Sequence, residues 1–297
     1  MTEVRSAWRD VMFYAAAPLA LFAAWLVLSP KLFLLLGYEE LAASYSFTRF
    51  YLAPVPVDVG TIIAAGVGVS IAALPAYIHA RRSYRLLTRL DEQIARLVSL
   101  YAGVYVSSES SSAALERLQR LIDEPLKTLT GLFAGVYKLT GDMRKAHEVG
   151  FSKAPPRIKA IARSIVVATR TGANVHEALS TVASYLEASL RLTRLVRARL
   201  AQYSFIVLLA ALTFAASSGV VLALVGKISA GEIPGIGLAV DVDVLRGLYF
   251  YSLVVVVLAS SFTVARVVYG FTPLMARYLL MLSAPSTVLF VAFYKLI

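Results

Sequence analysis

The side chains in this sequence that could do chemistry are few, and their spacing is poor for it. There are 3 histidines (His79, His147 and His176) and no cysteine. The absence of cysteine removes disulfides, zinc–thiolate sites, iron–sulfur clusters and cysteine nucleophiles together. His79 lies at the end of an apolar run. His147 and His176 occupy polar helical positions without a second histidine at metal-ligand spacing, so all three read as solvated or interfacial. Asp241 and Asp243 fall in "GEIPGIGLAVDVD", a candidate outer loop, and Asp58 sits at a span boundary. Intramembrane aspartyl proteolysis pairs two aspartates within the membrane, but here Gly235-Ile236-Gly237 is followed by leucine, and solvated loop acids are the plainer reading. No glycine-rich loop ends in Gly-Lys-Ser/Thr, so a phosphate cradle of that kind is missing. The expectation is a protein that is not an enzyme and has no metal or cofactor, with any energy source supplied by a partner.

The elements that would position these residues belong to a membrane. The chain of 297 residues is 59% hydrophobic and only 16% charged, with a mean hydropathy of +0.72. That composition belongs to polytopic membrane proteins rather than soluble domains. A spanning helix needs about 20 mostly apolar residues. Five segments qualify, at 11–36, 57–79, 202–225, 247–265 and 273–294. Pro18 and Lys31 lie in the first. No cleavable signal peptide is expected, because 1–10 carries both charge signs and no small-residue cleavage site follows the first apolar run.

Charge sets the orientation. Residues 81–202 hold 20 Lys+Arg against 10 Asp+Glu, nearly all of the formal excess of +11. Arg81, Arg82, Arg85 and Arg89 follow the second span, and Arg191, Arg194, Arg197 and Arg199 precede the third. Basic residues near span ends stay cytoplasmic. The N-terminus and 81–201 are therefore expected in the cytoplasm, 37–56 and 226–246 outside, and the C-terminus outside. The reading is an all-α polytopic protein with an N-terminal membrane region (1–80), one inserted cytoplasmic helical bundle (81–201) and a C-terminal membrane region (202–297).

Within 81–201 the apolar period becomes amphipathic. Leu87, Leu90, Ile94, Leu97, Tyr101 and Val104 recur in steps of three and four, a seam for packing against other helices. "SSESSS" at 107–112 breaks that helix and offers a serine cap for the next, whose apolar side is Leu115, Leu118 and Ile122. Pro125 suits the first turn of another, with Leu126, Leu129, Leu132, Phe133 and Val136 inside. Gly141 then ends a helix and Asp142 caps its successor. Pro155-Pro156 launches a longer helix with Ile158, Ile161, Ile165 and Val166 inside and Lys159 and Arg163 outside. In "RTGANVHEAL", Gly172 is placed to end that helix, Asn174 to cap the next, and Glu177 to complete a capping box. Leu179, Val182, Leu186 and Leu190 follow. About 120 residues in roughly six helices are enough to bury a core.

The ordered set of helices and turns resembles the F-domain platform proteins of type II secretion systems, type IV pili, Tad-type pili and archaella. Those carry a small-residue/Gly turn, a hydrophobic residue and Glu-Ala-Leu before a long helix into the membrane. The matching residues are Thr171, Gly172, Val175, Glu177, Ala178 and Leu179, with "GDMRKAHEVG" and "PPRIKAIARSIVVATR" in the places of the preceding helices. The likeness covers 81–225, and the later spans follow the order of the archaeal branch. Many members carry two cytoplasmic domains. Only one is present here, which resembles the half-length Tad-like arrangement and implies pairing with itself or a paralogous half. The resemblance further implies a cytoplasmic assembly ATPase and pilin-like subunits as partners.

The basic excess has three readings. The juxtamembrane arginines named above suit anionic lipid, at about 1 kcal/mol per residue near the surface. Lys138, Arg144, Lys145, Lys153, Arg157, Lys159 and Arg163, away from the membrane, suit an acidic partner such as the ATPase. Nucleic acid is not expected, because no aromatic interleaving or groove-reading helix accompanies the charge. Two small-residue stripes, Gly60/Ala64/Gly68/Ala72 and Ala211/Ala215/Gly219/Ala223, permit close helix approach either within or between subunits. A permease subunit of an ATP-driven transporter and a motor-free scaffold are the competing functions. The permease would show a short coupling loop where this chain inserts a domain.

Overall fold

The protein was analysed as a computed structural model, which describes residues 12–43, 45–50, 53–108, 110–171, 174–230 and 241–296. A π-helical turn, Met12–Ala16, leads into α1 (Ala17–Leu35), followed by α2 (Glu39–Ala43). A two-stranded antiparallel hairpin comes next, β1 (Phe47–Phe50) and β2 (Ala53–Pro56), with Phe47 opposite Pro56. It lies where the sequence marks only an outer loop. The remaining helices are α3 (Val59–Val106), α4 (Ser111–Leu121), α5 (Leu126–Thr140), α6 (Met143–Gly150), α7 (Pro156–Thr171), α8 (Val175–Ser229), α9 (Val242–Tyr269) and α10 (Met275–Leu296). A 3-10 turn, Thr272–Leu274, joins the last two.

Five helices are long and apolar enough to cross a membrane: Met12–Leu35, Val59–Val106, Val175–Ser229, Val242–Tyr269 and Thr272–Lys295. The chain is an all-α polytopic membrane protein. Its second and third spans are parts of much longer helices, of 48 and 55 residues. The chain divides into one unit formed by Met1–Arg81 with Arg197–Ile297 and a second formed by Arg82–Val196. The two membrane regions thus make a single unit, and α3 and α8 each contribute to both units without a break.

In the unit Arg82–Val196, local signals place the helix ends. Ser110 Oγ accepts from Ala113 N at 3.2 Å and caps α4. Gly141, in the left-handed region at φ 65°, closes α5, and its N–H reaches Tyr137 O. Asp142 Oδ1 accepts from Arg144 N at 2.8 Å to start α6. Pro125 precedes α5 rather than entering it, and there Gln93 of α3 supplies the cap. Its Nε2 donates to Glu124 O and its Oε1 accepts from Leu126 N. The core follows the amphipathic seam: Leu90, Ile94, Leu97, Tyr101, Leu115, Leu118, Leu126, Ile158, Ile165 and Leu179 are each under 4% exposed. Burial pushes the Tyr101 phenol upward from its ordinary value. Leu132 is a correction, since it is half exposed. Leu126, Thr130, Phe133 and Ala134 form the inner face of α5, which leaves Leu132 pointing away. Gly150 lets α6 press on α5, because a Cβ there would lie 2.7 Å from Phe133 Cα.

The membrane unit is cored differently. Both small-residue stripes are spent inside it. Trp25 Nε1 of α1 donates to Ala64 O at 2.8 Å, and Gly68 faces Trp25 and Phe22. Ala211, Ala215 and Ala223 are buried, and a Cβ on Gly219 would lie 2.6 Å from Phe290 O of α10. Near the start of α9, Arg246 donates to Val57 O at 2.6 Å and Tyr294 Oη at 2.5 Å, and pairs with Asp243 at 3.1 Å. Its guanidinium also lies over the Tyr294 ring, 4.6 Å from the centroid. One arginine therefore ties together the starts of α3 and α9 and the end of α10.

Candidate functional site: a basic cleft between α6 and α7

The helices α6 and α7 are held together by a histidine. His147 Nε2 lies 2.9 Å from the main-chain oxygen of Lys159, and its ring stacks on Phe151 at 5.7 Å. His147 is only 6% exposed, so the expectation of a solvated or interfacial residue is corrected. A hydrogen bond to a carbonyl twelve residues away takes the imidazole inside. His176 stays at the surface with Nδ1 3.0 Å from Ala102 O, and His79 stacks on Phe13 at 4.8 Å.

His147 forms part of the wall of a cleft of about 630 Å³. Arg144 and Glu148 of α6 stand on one side, and Lys159, Arg163 and Arg170 of α7 on the other, where Pro156, Ala160, Val166 and Val167 of the same helix complete the lining. Four cations thus meet one carboxylate, and Glu148 is already engaged by Arg144 Nε at 3.3 Å. Among the described residues, Lys159, Arg163 and Arg170 have no ion-pair partner. A cleft with this excess and aliphatic residues in its lining suits an anionic group attached to an apolar body.

The seven candidate docking residues separate on this geometry. Arg144, Lys159 and Arg163 line the cleft. Lys138 is drawn to Glu116 of α4 at 2.9 Å and Arg157 to Asp91 of α3 at 3.5 Å. Lys138 lowers the Glu116 carboxyl below its ordinary value, by hydrogen bond first and charge second. Lys145 and Lys153 are exposed and do not line the cleft. Arg170 is the residue that sequence reasoning missed. It repeats Arg163 seven positions on, which is two helical turns and the same face. Gly172 lies outside the described residues, as does 231–240. Beyond Gly172, Asn174 has φ 24°, and its Nδ2 donates to Glu177 Oε2 at 2.6 Å. The Asn174–Glu177 contact of the capping box is thus made between side chains. Ala178 is exposed and Leu179 is fully buried.

Of the juxtamembrane arginines, Arg82, Arg85, Arg89, Arg191 and Arg199 are exposed. Arg194 pairs with Glu92 at 2.6 Å, Arg81 lies over Tyr77 and Arg197 over Tyr269, each at 5.8 Å. The loop reading of the aspartates is corrected. Asp241 caps α9, accepting from Asp243 N and Val244 N, and Asp243 lies in its first turn. Asp58 precedes α3, accepting from Ile62 N through its main chain and from Ser46 Oγ through its carboxylate. Among the described residues no group of three or more His, Asp or Glu is placed to hold a metal. No family model, curated protein or solved structure matches the chain.

Proposed function

We propose that the protein is a membrane platform of a type IV pilus-like assembly machine, of the kind serving pili, archaella or type II secretion. In this reading Arg82–Val196 lies in the cytoplasm of a cell whose cytoplasmic membrane holds the five spans, with the C-terminus outside. A separate assembly ATPase docks on the basic unit, pilin-like subunits are received at the spans, and the platform pairs with itself or a paralogous half.

The observation that carries the reading is the inserted unit itself. A transporter permease needs only a short coupling element for its motor, whereas here 115 residues from Arg82 to Val196 build their own apolar core. That unit holds 17 Lys+Arg against 10 Asp+Glu, which favours an acidic partner. The helices α3 and α8 enter it without a loop, and a continuous helix transmits displacement where a flexible linker would absorb it.

The deciding experiment is gentle affinity purification of the full chain from native membranes, with identification of the proteins that come with it. Recovery of a hexameric secretion-type ATPase together with pilin-like chains is the expected result. Recovery with a dimeric transporter ATPase moves the assignment to a permease, and recovery without any ATPase to a scaffold.

A further inference from the structure

The outer face of α7 carries more than the basic cleft. Ala160, Arg163, Val167 and Arg170 are all exposed, Val167 to 54%, and they recur at the spacing of one helical face. Ala160, Arg163 and Val167 also border a second cleft, of about 420 Å³, on the side toward α8. Its other walls are Ala168, Ala178, Leu179 and Val182, with Ser164, so it is almost wholly aliphatic. The helix α7 is therefore a ridge with a cationic hollow along one flank and an apolar hollow along the other. Both lie within Arg82–Val196.

We infer that this ridge is the docking strip for an acidic amphipathic helix of a partner protein, which sets carboxylates against Arg144, Lys159, Arg163 and Arg170 and aliphatic side chains against Val167, Ala178 and Val182. The inference deepens the platform reading and rests on it for the identity of the partner as the ATPase. Charge complementarity chooses the occupant: the cationic hollow has three positive charges in excess of its one carboxylate. Length chooses its form. Arg163 and Arg170 stand about 10 Å apart along the axis at the helical rise per residue, a spacing that carboxylates two turns apart on a docked helix reproduce. The aliphatic hollow beside them gives the apolar face of such a helix a place to be buried. The mode is that of a helix laid in a groove.

The test uses the full chain in nanodiscs of zwitterionic lipid and, as probe, a fluorescent stapled helix of about 14 residues with glutamates on one face and leucines on the other. Saturable binding that weakens with salt is expected, falling about tenfold or more with Arg163→Glu and with Val167→Ser. A probe with lysines replacing the glutamates should prefer Arg163→Glu over the parent chain, which separates lost complementarity from lost folding. Absence of binding, or binding by both variants as tight as that of the parent chain, overturns the docking strip. Displacement of the probe by vesicles rich in phosphatidylglycerol, with no sensitivity to Val167→Ser, also overturns it, in favour of a lipid site. The same variants are then carried into the native-membrane purification. Retention of the ATPase by Arg163→Glu overturns the strip and leaves the platform standing. A parent chain that binds the probe but brings down no ATPase overturns the platform and leaves the strip with a different acidic partner.

Discussion

The two units both bury large side chains, Phe290 and Ile62 in the membrane unit included, but they differ in what accompanies them. Arg82–Val196 fills its interior with large side chains, among them Tyr101, Phe151, Leu118 and Ile158. The membrane unit sets Ala211, Ala215 and Gly219 at its contacts and buries Ser261, Ser283, Ser286 and Thr287 beside them. Its large apolar residues often face outward, as do Leu19, Val27 and Val288, each more than half exposed. In water, removing apolar surface drives assembly, at about 25 cal/mol per Å², so bulk belongs inside. Between lipid-surrounded helices that drive is missing, and close backbone approach and hydroxyl contacts replace it. The Ser70 and Ser283 hydroxyls meet in this way between α3 and α10.

The contrast can be tested by removing what each unit depends on. The largest effect is expected from Phe151→Ala, which opens a cavity beside Phe133 and His147 and should cost about 3–5 kcal/mol. Hydrogen exchange on the full chain should show the loss of protection concentrated in 82–196. Next comes Arg246→Leu in the membrane unit, which removes hydrogen bonds from a charged group to Val57 O and Tyr294 Oη. A loss of about 2–3 kcal/mol is expected in thermal unfolding in detergent. Gly219→Val forces α8 away from Phe290 and should cost about 1–3 kcal/mol, whereas Val288→Ala on the lipid-facing surface should cost under about 0.5 kcal/mol. Equal costs for those two would erase the distinction drawn between the packed and the outward faces of the membrane unit.

The smallest effect belongs to the exposed Lys138–Glu116 pair. A carboxyl whose folded value is lowered contributes stability above the ordinary carboxylate range, and that contribution is lost as pH falls through the folded value. Glu116→Gln should therefore narrow the difference in melting temperature between neutral and acid pH, and only at low salt.

What could be read from the sequence was local. Ser110, Gly141 and Asp142 end or start helices through bonds to residues two to four positions away, so their roles can be seen in a short window. The seam from Leu90 to Tyr101 shows itself in its own period. The basic cleft was legible only in part. Arg144, Lys159 and Arg163 stand out as cations on amphipathic helices, but their meeting depends on His147 reaching the Lys159 carbonyl, which no local pattern reveals. Gln93 was hidden in the same way, because it caps a helix that starts 33 residues later. The hairpin at 47–56 was obscured by Pro54 and Pro56, which discourage a strand reading although edge strands tolerate them.

The contact of Gly219 with Phe290 also bears on the order in which the chain is made. The two residues are 71 positions apart, and at about 5–20 residues per second the ribosome needs roughly 4–14 s to pass from one to the other. For that interval the small-residue face of α8 has no α10 to close against, and Gly66 of α3 waits longer still for Thr287. The last span is thus a keystone. The earlier helices can already make contacts of their own, such as Trp25 with Ala64, but those with α10 wait until that helix has been made.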